Sequence, residues 1–265
     1  MRNRILGFIL LGLFFIGCQT VPLTGRKQLN LLPESELIDM TDTSYTEFLR
    51  QNDVLPASHP DARRVREVGT KISKAVEQYL SENGHKKRLQ EFDWQFNTVN
   101  NDLVNAWCMP GGRVVFYTGI LPICQDDNGL AVVMGHEIAH AVARHGNERM
   151  SEAMGLEAAG ATLGVLISEK PDLTRELLMR SYGIAAGLGT LAFSRKHESE
   201  ADKLGLVFMA MAGYDPREAP KFWSRMSAQG GAKPPEFLST HPSDETRISD
   251  LNAYMDEALK YYKPN

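Results

Sequence analysis

Cysteine is scarce, charge is nearly balanced, and no apolar run is long enough to cross a bilayer. Each shortage narrows what this 265-residue chain can be. Three cysteines permit at most one disulfide. A formal net charge of -4, without a long basic run, provides no electrostatic footprint for nucleic acid. The apolar stretch from Ile5 to Gly17 falls short of the roughly 20 residues a spanning helix needs. Two Ala/Gly-rich stretches, Gly155 to Ile167 and Ser181 to Phe193, are also too short, and Glu157 interrupts the first; small residues at such spacing let buried helices pack closely. No repeat recurs at a fixed period. What remains, 43% hydrophobic and 23% charged residues, is ordinary globular composition with one catalytic domain as the default.

The first seventeen residues stand apart. Met1 to Arg4 is a basic start and Ile5 to Gly17 an uncharged apolar run, the pattern of a secretory signal over residues 1–17. Phe15-Ile-Gly-Cys18 then resembles a bacterial lipobox, with Phe15 where Leu is usual. The resemblance implies that Cys18 is acylated and tethers the protein to a membrane, each buried methylene contributing about 0.8 kcal/mol. Gln19 at the next position implies, again by resemblance, the periplasmic face of the outer membrane of a Gram-negative cell. An ordinary signal with an incidental cysteine and an uncleaved anchor are the alternatives. With Cys18 lipidated, Cys108 and Cys124 are left as a pair able to form one disulfide in an oxidising compartment.

From Gln19 to Pro60 the chain is polar and broken by Pro22, Pro33, Pro56 and Pro60, with an amphipathic run from Glu34 to Arg50; residues 18–60 are expected to be a lipid-attached tether with a peripheral helix. Residues 61–265 are expected to form the catalytic domain. Val65, Val68, Ile72, Val76 and Leu80 recur at helical spacing. Asp93 to Val99 and Arg113 to Thr118 look like strands of an antiparallel pair, separated by the turn chemistry of Pro110-Gly-Gly112. Asn128 to Gly146 is expected to be a helix with Asn128 as its N-cap, and helices are expected over Lys196–Ala212, Arg217–Ala228 and Thr246–Tyr261, with a loop from Gly230 to Pro242. The fold class is therefore α+β, predominantly helical, with a small antiparallel sheet beside the helix that carries the chemistry.

That chemistry centres on His136-Glu137-Ile138-Ala139-His140. Histidines four apart on a helix are separated by about 400° of turn, so they share a face and can share one tetrahedral metal ion. The intervening Glu137 lies beside such a metal without binding it, where it can take a proton from water. Its neighbours Val132, Val133, Ile138, Ala139 and Val142 are apolar, and burying an unpartnered carboxylate among them is costly. A metal gives the polar residues a reason to be there.

A catalytic zinc site needs a third protein ligand. Position 146 is Gly, which excludes a third histidine six residues after His140. His145, nine residues and about 900° of turn from His136, falls on the opposite face and is excluded as a ligand, reading as a surface or capping histidine. Downstream, Glu198 and Asp202 are four apart on an expected helix, so one can bind metal while the other accepts a hydrogen bond from a ligand histidine. Glu200 is rotated away and is the next candidate ligand.

The ordered set Asn105-Ala with Pro110-Gly-Gly112, Thr118-Gly-Ile-Leu121, the H-E-I-A-H helix, Ser194-Arg with Glu198 and Asp202, and Ser239-Thr-His-Pro242 resembles metallopeptidase family M48. This group of gluzincins includes CAAX prenyl endopeptidases, the mitochondrial overlapping-activity protease and periplasmic lipoprotein relatives. The resemblance implies a zincin-like domain with one Zn2+ held by His136, His140 and Glu198, with Asp202 orienting a ligand histidine. It implies that Gly111, Gly112 and Val114 border the substrate cleft, where an extended peptide adds to the strand edge. It also implies that His241 approaches the metal, either to stabilise the developing oxyanion or to fill the open coordination position in a latent form; a turn histidine before Pro242 is the other possibility. Manganese or cobalt suits the same ligands.

The expected activity is zinc-dependent endopeptidase cleavage of unfolded or misassembled envelope proteins, with Glu137 and His241 as catalytic residues and proteins or peptides as partners. The alternatives are a latent lipid-tethered zinc protein acting as a chaperone or assembly factor, and a hydrolase of cell-wall peptides.

Overall fold

The computed structural model describes residues 18–22, 24–157, 171–181, 193–229, 235–242 and 246–264. The Ala/Gly-rich stretches noted above lie largely outside the described residues. In chain order the described elements are strands β1 (Cys18–Thr20) and β2 (Lys27–Leu29), helices α1 (Glu34–Gln51) and α2 (Pro60–Glu82), then strands β3 (Gln95–Val99), β4 (Ala106–Met109) and β5 (Arg113–Tyr117). There follow helices α3 (Leu121–Cys124), α4 (Asp127–Val142), α5 (His145–Glu157), α6 (Pro171–Ser181), α7 (Arg195–Met211), α8 (Glu218–Ala228), α9 (Glu236–Thr240) and α10 (Arg247–Leu259). The predominantly helical α+β class is as expected.

The sheet is mixed rather than antiparallel. Its order is β3-β5-β4, with β3 and β5 parallel and β4 and β5 antiparallel. The two strands expected to pair antiparallel are thus the parallel pair, and β5 runs back along β4, a strand not expected from the sequence. The reversal occurs at Met109-Pro110-Gly111-Gly112: Gly112 N–H donates to Met109 C=O over 3.2 Å and Gly111 has φ +80°. Proline followed by a glycine in the left-handed region is the signature of a type II turn. A Cβ on Gly112, itself at φ +83°, would stand 2.5 Å from the Trp94 ring.

Alternation along the strands feeds two cores. Ala106, Cys108, Val114 and Phe116 join the larger core, with Val68 and Ile72 of α2, Ile138 and Val142 of α4, and Phe208 of α7. Trp107, Met109, Val115 and Tyr117 point the other way, onto Leu37, Tyr45 and Phe48 of α1. Phe48 meets Trp107 edge-on with ring centroids 5.0 Å apart. The stretch expected to be a tether is thus folded onto the domain, contributing a hairpin and one side of the second core. Each large apolar side chain buried in this way contributes roughly 1.5–3 kcal/mol.

Helices α4 and α7 cross at closest approach through two glycines. A Cβ on Gly135 would lie 2.9 Å from the Gly205 carbonyl oxygen, and one on Gly205 would lie 3.0 Å from the His136 nitrogen. Backbone therefore touches backbone beside the first histidine of the motif.

Helix α4 is capped by Asp126, whose side chain accepts from Gly129 N–H, and not by Asn128, whose amide oxygen instead accepts from Asp215 N–H at 2.9 Å. The helix also ends sooner than expected. Arg144 sits at φ +57°, outside helical space, and α5 begins at His145. The two buried cysteines, Cys108 and Cys124, are free thiols, so no bridge joins them. No described helix is long and apolar enough to cross a membrane.

Candidate metal centre

Helix α4 delivers His136 and His140 one turn apart, α7 delivers Glu198 from its first turn, and the segment after α9 delivers His241. The α7 register is fixed by Ser194, which caps the helix by accepting from His197 N–H. One ligand atom from each of the four lies within 4.8 Å of the others, and all four residues are buried.

Four of the spacings match those between ligands of one metal ion. His140 Nε2 is 3.1 Å from His136 Nε2 and 3.4 Å from Glu198 Oε1, while His241 Nδ1 is 3.2 Å from His136 Nε2 and 3.1 Å from Glu198 Oε1. Ligands at about 2.0–2.1 Å from a tetrahedral zinc ion stand about 3.3 Å apart. The donor set of imidazoles and one carboxylate, at these separations, fits zinc. Three corners are the residues expected; the fourth is His241 Nδ1.

Charge is arranged around the corners in three ways. His136 Nδ1 meets Asp202 Oδ1 at 2.9 Å, and Arg247 bridges the two carboxylates, with Nη1 2.9 Å from Glu198 Oε2 and Nη2 2.6 Å from Asp202 Oδ1. Arg247 itself lies 3.3 Å above the Trp223 ring. Burial opposes the charge on Glu198, but His241, Arg247 and His136 outweigh it and hold the carboxyl well below its ordinary range. Burial likewise opposes the charge on His136, yet Glu198 and Asp202 raise its proton affinity. His140 is pushed well below its ordinary value, first by burial.

Glu137 is the contrast. It is 3% exposed, and its Oε1 has no hydrogen-bond partner among the described residues; the nearest cation-forming group is His241 Nε2 at 3.5 Å. Burial raises its proton affinity, and the nearby His241 and His136 only partly offset this. A buried carboxylate with an open oxygen beside a candidate metal site is placed to exchange protons.

The expectation for His145 fails here. His145 is neither on the surface nor on the far face: it is fully buried, with Nδ1 3.0 Å from His140 Nδ1 and Nε2 3.2 Å from Glu200 Oε2. The angular argument required one continuous helix, and the turn at Arg144 breaks it. Glu200 offers nothing to the centre, being held by His145, Arg26 and Thr24. The cleft expectation also shifts. Gly111, Gly112 and Val114 are buried at and after the type II turn, and β5 is paired on both sides, so it has no edge to offer. The sheet edge on the α4 side is β4. Arg247, Trp223 and Arg26 were not foreseen; their contacts come from segments far apart in sequence and leave no spacing to detect.

A buried two-histidine, one-glutamate centre on an H-E-x-x-H helix defines a zinc metallopeptidase of the gluzincin type. Residues 66–255 match the model of Peptidase family M48, and the chain belongs to that family. It is 31% identical over 251 residues to the mitochondrial metalloendopeptidase OMA1 of Schizosaccharomyces pombe, covering 92% of this chain and 68% of that protein. It is 29% identical to the mitochondrial metalloendopeptidase OMA1 of Homo sapiens, covering 96% of this chain but 49% of that protein. It is 32% identical over 170 residues to the beta-barrel assembly-enhancing protease of Escherichia coli K12, covering 59% of this chain and 33% of that protein. The chain is a metalloendopeptidase that uses zinc.

These matches correct the expected localisation. The relatives that cover 92% and 96% of the chain are mitochondrial by name, and the bacterial one covers less. A short apolar run followed by cysteine does not specify a compartment, and the outer-membrane assignment drawn from it is withdrawn.

Proposed function

We propose that the protein cleaves peptide bonds in unfolded or misassembled proteins and rests in a latent state with His241 in the fourth position of the zinc site. The observation that carries the peptidase half is Glu137, buried with an open oxygen beside the cluster of His136, His140, Glu198 and His241. Bound zinc supplies a Lewis acid that polarises the scissile carbonyl and makes water more acidic. Glu137 takes a proton from the attacking water and delivers it to the leaving amine. Asp202 and Arg247 hold His136 and Glu198 in place during that exchange.

The latent half rests on the position of His241 Nδ1, because a catalytic zinc site keeps its fourth position for water and a closed site does not. The His241 ring stacks on Phe237 of α9, with ring centroids 4.6 Å apart. Two relatives are named beta-barrel assembly-enhancing protease, which is the reason for including β-barrel precursors among the test substrates. Acylation of Cys18 is proposed from the sequence alone, with no compartment attached, and the intact mass of the N-terminal peptide checks it.

The test compares the parent, Glu137→Gln and His241→Ala for zinc content and for cleavage of casein and of unfolded β-barrel precursors. One zinc per chain in all three, no cleavage by Glu137→Gln and faster cleavage by His241→Ala are expected. Absence of zinc from the parent sinks the reading. Equal rates for His241→Ala and the parent sink the latent half, and cleavage of folded proteins as fast as unfolded ones sinks the substrate preference.

A further inference from the structure

His136 and His140 are oriented by different means. A ligand histidine that presents Nε2 to a metal must carry its proton on Nδ1, and that proton needs an acceptor. For His136 the acceptor is a carboxylate, Asp202 Oδ1, at 2.9 Å. For His140 the atom at 3.0 Å is another imidazole nitrogen, His145 Nδ1.

A neutral imidazole accepts at Nδ1 only when its own proton sits on Nε2. His145 Nε2 faces Glu200 Oε2 at 3.2 Å, and an ionised carboxylate can only accept. Glu200 is kept ionised by Arg26, whose Nε donates to Oε2 over 2.6 Å, and by the Thr24 hydroxyl, which donates to Oε1. Arg26 is anchored in turn by two hydrogen bonds of 2.7 Å to Glu148, which also takes His197 Nε2 at 3.0 Å. His145 is 0% exposed, so bulk water does not compete for its nitrogens. Each group in this chain has a single donor or acceptor role, and the last link leaves the His140 Nε2 lone pair facing the centre.

We propose that His145 is a positioning residue for His140, and that Thr24 and Arg26, between β1 and β2, act on the metal centre through Glu200 and His145. Arg26 and Thr24 lie outside the residues 66–255 that match the family, so the hairpin supplies a working part of the site from beyond the family domain. The inference rests on His140 being a zinc ligand.

The test measures zinc dissociation constants by chelator competition and the His140 tautomer by 15N NMR in the zinc-free protein, for the parent, His145→Leu, His145→Gln and Arg26→Met. His145→Leu is expected to bind zinc about 10- to 100-fold more weakly and to lose the Nδ1–H form of His140. His145→Gln, which offers an acceptor to His140 and a donor to Glu200, is expected to recover most of both. Arg26→Met is expected to weaken zinc by about tenfold. Zinc affinity and tautomer unchanged in His145→Leu, with only a lower melting temperature, overturn the proposal. If His145→Leu does not fold, Arg26→Met decides in the same way from the far end. If the parent binds no zinc, the metallopeptidase reading fails, while the His140 tautomer in the zinc-free parent still decides the relay.

Discussion

Glu137 and Glu198 lie on opposite nitrogens of one imidazole, His241, yet the protein treats them in opposite ways. Glu198 Oε1 is 3.1 Å from Nδ1, and its other oxygen is held by Arg247 at 2.9 Å. Glu137 Oε1 is 3.5 Å from Nε2 and accepts no hydrogen bond. Burial is the largest influence on both and favours the protonated acid in each case. Partners decide the outcome: surrounded by cations, Glu198 stays ionised as a ligand must, and Glu137, poorly partnered, keeps an enhanced appetite for a proton. Two identical side chains on packed helices thus divide into ligand and proposed base through their neighbours.

The sharpest way to break this contrast is to remove the proton carrier. Glu137→Gln is expected to lower kcat/KM by about 10²–10⁴-fold and to leave zinc stoichiometry intact, measured on a fluorogenic peptide alongside metal analysis. Loss of zinc instead would make Glu137 part of the ligand set. Removing the partner of the other carboxylate comes next. Arg247→Met should weaken zinc by about 10- to 100-fold, because Glu198 and Asp202 both lose a charged donor; unaltered affinity would show the clamp to be incidental.

A methyl at the helix crossing tests whether spacing matters as much as charge. Gly205→Ala is expected to destabilise the protein by about 1–3 kcal/mol in urea unfolding, since the new carbon would stand 3.0 Å from backbone atoms of α4. An undiminished midpoint would mean that the helices part freely.

The smallest effect concerns a well-partnered carboxylate away from the metal. Burial favours protonation of Glu148, but hydrogen bonds from Arg26 and then His197 prevail and lower it from 4.5 to about 2. A folded-state value below the unfolded one stabilises the fold above the unfolded value, and that stability is lost as pH falls. Zinc-free protein should therefore lose stability progressively from about pH 4.5 towards pH 2, and Glu148→Gln should flatten this limb of the curve. Equal slopes in the two proteins would remove Glu148 from the account.

What the sequence made legible follows from periodicity. The spacing of His136 with His140, and of Glu198 with Asp202, survives in the fold because each pair lies within one helix, where 3.6 residues per turn fixes the geometry. His145 was misplaced because the same arithmetic was carried across Arg144, where a single left-handed residue resets the direction of the chain. The sheet was misjudged for a related reason: Asp93–Val99 and Arg113–Thr118 announce themselves as strands, but nothing in either tells which neighbour it will pair with, and the short β4 between them decides. Arg247 and Arg26 were illegible because their partners lie 49 and 174 residues away, and no local pattern marks such a contact.

The glycine contact between α4 and α7 sets more than packing. Because Gly135 and Gly205 let main chain rest on main chain, the separation between the histidine pair and Glu198 is governed by backbone atoms, which cannot adjust as a flexible side chain does. Such a frame fixes how far apart the two helices hold their ligands. Bonds of about 2.0–2.1 Å suit it, while calcium, which needs 2.3–2.6 Å and six to eight oxygen ligands, does not. The imidazole and carboxylate donors already disfavour calcium, and the two glycines add a helix separation that no side chain can adjust.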